Sequence, residues 1–233
     1  MALVTASDHG GVRVLGVDRP PRNAVDLTLI TALGAAIDAA AADDAVQALV
    51  LTGTASAFSA GVDVKVVPTY DRAGRAEMIR GIDGTIVTLY GLPKPTVAAI
   101  NGHALGGGLV IALACDVRIA AAGSYSLGLL EVTAGIPFPA GPLIVVQSEL
   151  DPQTASTLAL TGRTIGPSDE LAMRFIDAVV PAETLLATAV ERARTLAGLR
   201  GYAAVKRQLR AAALARLKAI VLEDSDPLLD DWF

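Results

Sequence analysis

The chain has 233 residues, 52% of them hydrophobic and only 18% charged, which is enough apolar material for a real core and excludes a disordered protein. A net charge of −5, one cysteine and two histidines exclude a basic nucleic-acid face, a disulfide framework, a thiolate metal cluster and a His-rich metal site. No uninterrupted apolar run reaches the roughly 20 residues of a crossing helix, and no charged segment followed by an apolar one opens the chain, so a cytoplasmic protein without membrane contact is expected.

In chain order, Asp8-His9-Gly10-Gly11 reads as a turn, and Val12, Arg13 and Val14 alternate as a strand does. Arg19–Asn23, with two prolines, is a loop. Asp26 stands at the start of a helix carrying Leu29, Ile30, Leu33 and Ile37 at helical spacing. Ala48–Thr52 is a short buried strand closed by Gly53, and the small, polar segment Thr54–Gly61 reads as a loop. Arg72–Leu89 reads as a helix, closed by Gly91-Leu92-Pro93. Thr96–Ile100, Leu109–Cys115 and Val117–Ala120 then give strand, helix and strand. Short buried strands alternating with crossover helices predict an α/β core with parallel pairing. From Ala182 onward the pattern is helical only, with one apolar stripe at Leu185, Leu186, Val190 and Leu196 and another at Val205, Leu209, Leu217 and Ile220. A boundary near residue 180 is expected, separating a core (1–180) from a helical C-terminal region (181–233).

Between Ile100 and Leu109 stand three consecutive glycines, Gly106-Gly107-Gly108. Glycine lets backbone approach a ligand closely, and a helix start offers unpaired N–H groups at the positive end of its dipole. Such a junction can hold negative charge developing on an oxygen without a charged side chain. The run lacks the Lys-Ser/Thr of a P-loop and the Rossmann glycine spacing. Taken singly, a tight turn packed closely against a helix is a commoner explanation of such glycines than a ligand site.

Several stretches together resemble the crotonase (enoyl-CoA hydratase/isomerase) superfamily. They are Arg19-Pro20 before Asn23-Ala24-Val25-Asp26, Leu49–Gly53, Ala57–Asp63, Lys94–Gly102, the glycine run and Ala114–Ala121. The resemblance spans nearly the whole chain. It implies an α/β spiral of strand–strand–helix units with a C-terminal helical region (181–233) used for oligomerisation, as a homotrimer or a dimer of trimers, and for covering the pocket. It also implies an acyl-CoA thioester substrate, with coenzyme A as part of that substrate and no prosthetic group or metal. By position, the backbone N–H groups of Val62 and Gly107 would form an oxyanion hole. Arg22, Ser59, Ala60, Asp63, Val64 and Lys65 fall where the family binds coenzyme A. For the charged members of that set an ordinary solvated role is as compatible. The basic run Lys206–Arg210 reads as a solvated helix face, His103 as packing, and Cys115 as core.

Hydratases of this superfamily use two glutamates. Glu131 matches one, whereas the position of the other, three residues past Gly107, holds Val110. Adding water across a double bond is served by two carboxyls. Moving a double bond from the 3,4 to the 2,3 position needs one base, and the pattern Gly106–Val110 with Gly128-Leu129-Leu130-Glu131 is similar to that of Δ3,Δ2-enoyl-CoA isomerases. Those often carry asparagine where this chain has Leu130, an apolar neighbour that would raise the Glu131 pKa. The expected activity is Glu131-dependent isomerisation. The alternatives are a weak hydratase, an acyl-CoA hydrolase, or a non-catalytic acyl-CoA-binding protein.

Overall fold

The computed structural model describes residues 2–232. A six-stranded sheet is built from β1 (Val4–Asp8), β2 (Val12–Val17), β3 (Ala48–Gly53), β5 (Thr96–Ile100), β7 (Val117–Ala121) and β9 (Ala178–Val180), side by side in that order. Only the β1–β2 hairpin is antiparallel, and its turn uses Gly10 and Gly11. The other ladders are parallel. A second sheet of three short parallel strands has the order β4 (Ala57–Ser59), β6 (His103–Leu105) and β8 (Leu127–Gly128).

The two sheets share one logic. Each of three successive units gives one strand to the large sheet, the next to the small sheet, and then a helix: α2 (Arg72–Gly91), α3 (Gly107–Ala114) and α4 (Glu131–Ala134). This is the expected spiral of strand–strand–helix units. It also corrects the reading of Thr54–Gly61 as a loop, because Ala57–Ser59 is strand. Three residues show no alternation to recognise; the pairing of Ala57 with His103 and Ser59 with Ala104 makes them a strand.

The central strands of the large sheet, β2, β3, β5 and β7, are buried on both faces and read as near-continuous apolar runs, whereas the edge strand β1 is mostly exposed. On β3, Leu49 and Leu51 face a core shared with Leu29, Leu33 and Ile37 of α1 (Leu27–Ala42), while Ala48 and Val50 face the other side. That side is covered by α7 (Leu185–Ala197) through Leu185, Ala189, Val190 and Ala193. Each fully buried Leu or Ile contributes roughly 1.5–3 kcal/mol. Asp26 caps α1, its carboxylate accepting from the Leu29 amide at 2.9 Å.

Two further helices, α5 (Ala140–Glu149) and α6 (Pro152–Thr161), follow α4. The segment Ile136–Val145 carries Pro137, Pro139 and Pro142, yet only its first part is irregular, since α5 begins at Ala140. Pro139 caps α5 and Pro142 lies in its first turn, where a missing N–H leaves no helical bond unmade. The last helices are α8 (Tyr202–Leu209) and α9 (Ala211–Glu223), the latter packed on α2 and α5. The apolar stripes there are only partly buried: Leu217 is, whereas Leu209 is 82% exposed and Leu186 41%. Lys206 and Arg210 depart from the expected solvated face, since both are buried around Asp116 at 2.8 and 2.9 Å. Arg210 also donates to the carbonyls of Ala114 and Cys115, where the end of α3 favours a cation. Among the described residues no helix is long and apolar enough to cross a membrane.

Candidate active site

Parallel strands of one small sheet end on the same side. The loops that follow β4, β6 and β8 therefore meet, and they deliver Ala60–Val62, Gly106–Gly107 and Leu130–Glu131 to one cavity. Its volume is about 250 Å³, and α2 and the segment 136–142 wall it with Ile82, Ile86, Ile136 and Pro137.

The first loop is held by a parallel bridge. Val25 N–H donates to the Gly61 carbonyl at 2.7 Å, and Asp63 N–H donates to the Val25 carbonyl at 2.8 Å. That pattern turns the intervening Val62 N–H away from Val25, and it has no acceptor among the described residues. The Gly107 N–H, in the first turn of α3, likewise has none. The two amides are neighbours, since a Cβ placed on Gly107 would lie 4.0 Å from the Val62 nitrogen. The approach depends on Gly61, where a side chain would meet the Leu105 carbonyl at 2.5 Å.

Glu131 is the first residue of α4 and only 8% exposed. A Cβ on Gly106, which has φ +50°, would lie 3.2 Å from its Oε1. Its Oε2 is buried without a hydrogen-bond partner, the one such side-chain atom among the described residues. Burial raises its pKa to about 7, against the weaker pull of its own amide and that of Leu130. Among the described residues lining the cavity it is the one ionisable group, and Val110 lines the same space.

Of the residues expected to bind coenzyme A, Ala60 and Val64 line the cavity. Arg22 and Lys65 are exposed beside them, the Arg22 carbonyl accepting from the Ala60 amide at 3.0 Å. Ser59 and Asp63 turn inward. The Ser59 hydroxyl donates to the Asn23 carbonyl at 2.7 Å and accepts from the Gly61 amide, and Asp63 pairs with Arg19 at 2.9 Å. These bonds hold the loop and leave those two side chains turned from the cavity. His103 also lies outside it, its Nδ1 accepting from the Ser126 amide at 3.1 Å. Cys115 is core, its thiol pushed up to about 12 by burial. Sequence reading alone does not find Trp232, which lines the cavity from far along the chain. Its one signal is an aromatic ring with Leu228 and Leu229 in an otherwise aspartate-rich segment.

Comparison with known proteins agrees with this architecture. The family model described as enoyl-CoA hydratase/isomerase matches residues 7–228. The "Probable enoyl-CoA hydratase echA17" of Mycobacterium avium (strain 104) is 34% identical over 188 residues, covering 81% of this chain and 73% of that protein. The crystal structure of enoyl-CoA hydratase EchA3 from Mycobacterium ulcerans Agy99 superposes with a TM-score of 0.86 at 33% identity, covering 93% of this chain and 95% of the other. Human mitochondrial Δ3-Δ2-enoyl-CoA isomerase gives 0.88 at 26% identity, covering 95% and 88%. Names of both activities thus occur among its relatives. With the crotonase fold and a match over nearly its full length, the chain belongs to the enoyl-CoA hydratase/isomerase family of enzymes acting on coenzyme A thioesters.

Proposed function

We propose that the protein is an enoyl-CoA isomerase that moves a 3,4 double bond into conjugation with the thioester, using Glu131 as its single base. The observation that carries this reading is that Glu131 is the one ionisable side chain facing the cavity among the described residues, with Val110 where a second carboxyl would be needed for hydration.

The thioester oxygen accepts from the Val62 and Gly107 amides, which act as an oxyanion hole. Glu131 takes a proton from C2, and the electron pair passes into a dienolate whose oxygen carries the charge. Two fixed donors stabilise that charge as it forms, and removing one such donor typically costs about 3 kcal/mol. The protonated Glu131 then returns its proton to C4, which leaves the double bond at C2–C3 and regenerates the carboxylate. A pKa of about 7 suits both halves, because the group must accept and release a proton at neutral pH. The shuttle is redox-neutral and calls for no prosthetic group; coenzyme A enters as half of the substrate. Ala60 and Val64 contact its pantetheine arm, with Arg22 and Lys65 at the rim for its phosphates and Ser59 and Asp63 bracing the loop.

The test is conversion of 3-hexenoyl-CoA, followed by the ultraviolet absorbance of the conjugated product. Wild type turns over and Glu131→Gln does not; equal rates would remove the glutamate from the reaction. Crotonyl-CoA separates the hydratase alternative, since wild type should leave it unchanged. A homotrimer or dimer of trimers is proposed as the assembled form. Support comes from the exposed Leu199, Val205, Leu209 and Leu222, and light scattering measures it.

A further inference from the structure

After α9 the chain runs back along α2 as an irregular strap, residues 224–232. Asp224 ends α9 with φ 49°, and its carboxylate accepts two hydrogen bonds from Arg80 at 2.6 and 2.7 Å. Asp226 is buried, hydrogen-bonded to the Asp83 carboxyl of α2, and accepts from the amides of Ala140 and Leu228 at 2.5 and 2.7 Å. Asp230 pairs with Arg72 at the start of the same helix. These ties carry Trp232 into the cavity, where its indole N–H donates to the Pro137 carbonyl at 3.3 Å.

The cavity has an open and a closed end. Val64, 48% exposed, marks the mouth, whereas Ile82, Ile86, Ile111 and Trp232 are all buried. The volume of about 250 Å³ falls below the roughly 300–1,000 Å³ usual for small-molecule pockets. We propose that Trp232, held by the strap, is the wall that sets the upper limit of acyl-chain length and makes short-chain acyl-CoA thioesters the substrate class. This rests on the reading above that the acyl chain enters this cavity.

Calorimetric titration with saturated acyl-CoAs from butyryl to dodecanoyl tests it without requiring turnover. In wild type, affinity rises about fourfold per buried methylene until the chain meets the wall, and then stops rising. Trp232→Ala moves that break about two carbons or more toward longer chains, and Trp232→Phe moves it less. Should the alanine variant melt below the assay temperature, the phenylalanine variant alone carries the test. A break unmoved in folded variants would overturn the wall while leaving isomerisation standing. Wild-type binding across the series without conversion of any 3-enoyl-CoA would count against the isomerase reading alone. Absence of binding to every member would overturn both.

Discussion

Glu131 and Asp83 are both buried carboxyls beside the cavity, and desolvation lifts both, the first to about 7 and the second to about 8. Their surroundings differ. Asp83 shares a hydrogen bond with Asp226 and accepts from the Gly141 amide at 2.9 Å, so its proton is committed to holding α2, α5 and the strap together. Glu131 lines the cavity, and its Oε2 is buried without a hydrogen-bond partner. A displaced pKa therefore does not by itself mark chemistry; an unpartnered carboxyl on a residue that lines a cavity with two unpaired amides does.

The largest effect expected is at Glu131. Glu131→Gln should lower kcat for isomerisation by roughly 10²–10⁴-fold, the usual worth of a positioned base. Its thermal stability at pH 8 should match or exceed wild type, because a buried, unpaired carboxylate is gone, a difference on the order of 3 kcal/mol. A variant that loses activity only by unfolding would erase the contrast with Asp83.

Next comes Gly106→Ala. A side chain there is strained at φ +50° and presses on Glu131 Oε1 from 3.2 Å. Displacing a reacting group by about 1 Å can lower the rate on the order of 10²-fold, so kcat should fall while KM changes little.

Asp83→Asn should spare turnover of short substrates and change the pH dependence of stability. In wild type the folded state keeps the Asp83 proton that the unfolded chain gives up above its ordinary value of 3.8. Stability is thus fullest below that value and declines as pH rises toward about 8. Asparagine can still accept from Gly141 and donate to Asp226, and it carries no such proton, so melting temperatures across pH 4–9 should decline less steeply. Parallel curves for the two proteins would show that Asp83 is not the group responsible. The smallest effect is at the rim, where Lys65→Ala should raise KM by about two- to fivefold at low salt and less at high salt.

The elements legible in the sequence were those with a pattern of their own. α1 and α2 have helical spacing and Asp caps, and β3, β5 and β7 are apolar runs because both their faces are covered. β4, β6 and β8 have two or three residues each, and their strand character comes from pairing with segments tens of residues away. Val62, Gly107 and Glu131 are singled out in the sequence through likeness of motif, not periodicity, since an unpaired amide leaves no mark on side-chain choice. Trp232 and the Asp83–Asp226 pair were not legible because tertiary packing alone brings the indole to the cavity wall and joins the two carboxyls behind it. Asp83 carries a faint signal, a carboxyl set among Ile79, Ile82 and Ile86 on the buried side of α2.

The pH dependence of kcat/KM for 3-hexenoyl-CoA isomerisation tests the single-base account most directly. One ascending limb is predicted, rising tenfold per pH unit at low pH and levelling near 7. A bell-shaped profile with a descending limb below the pH at which the protein unfolds would demand a second titrating group in the cavity and contradict the account.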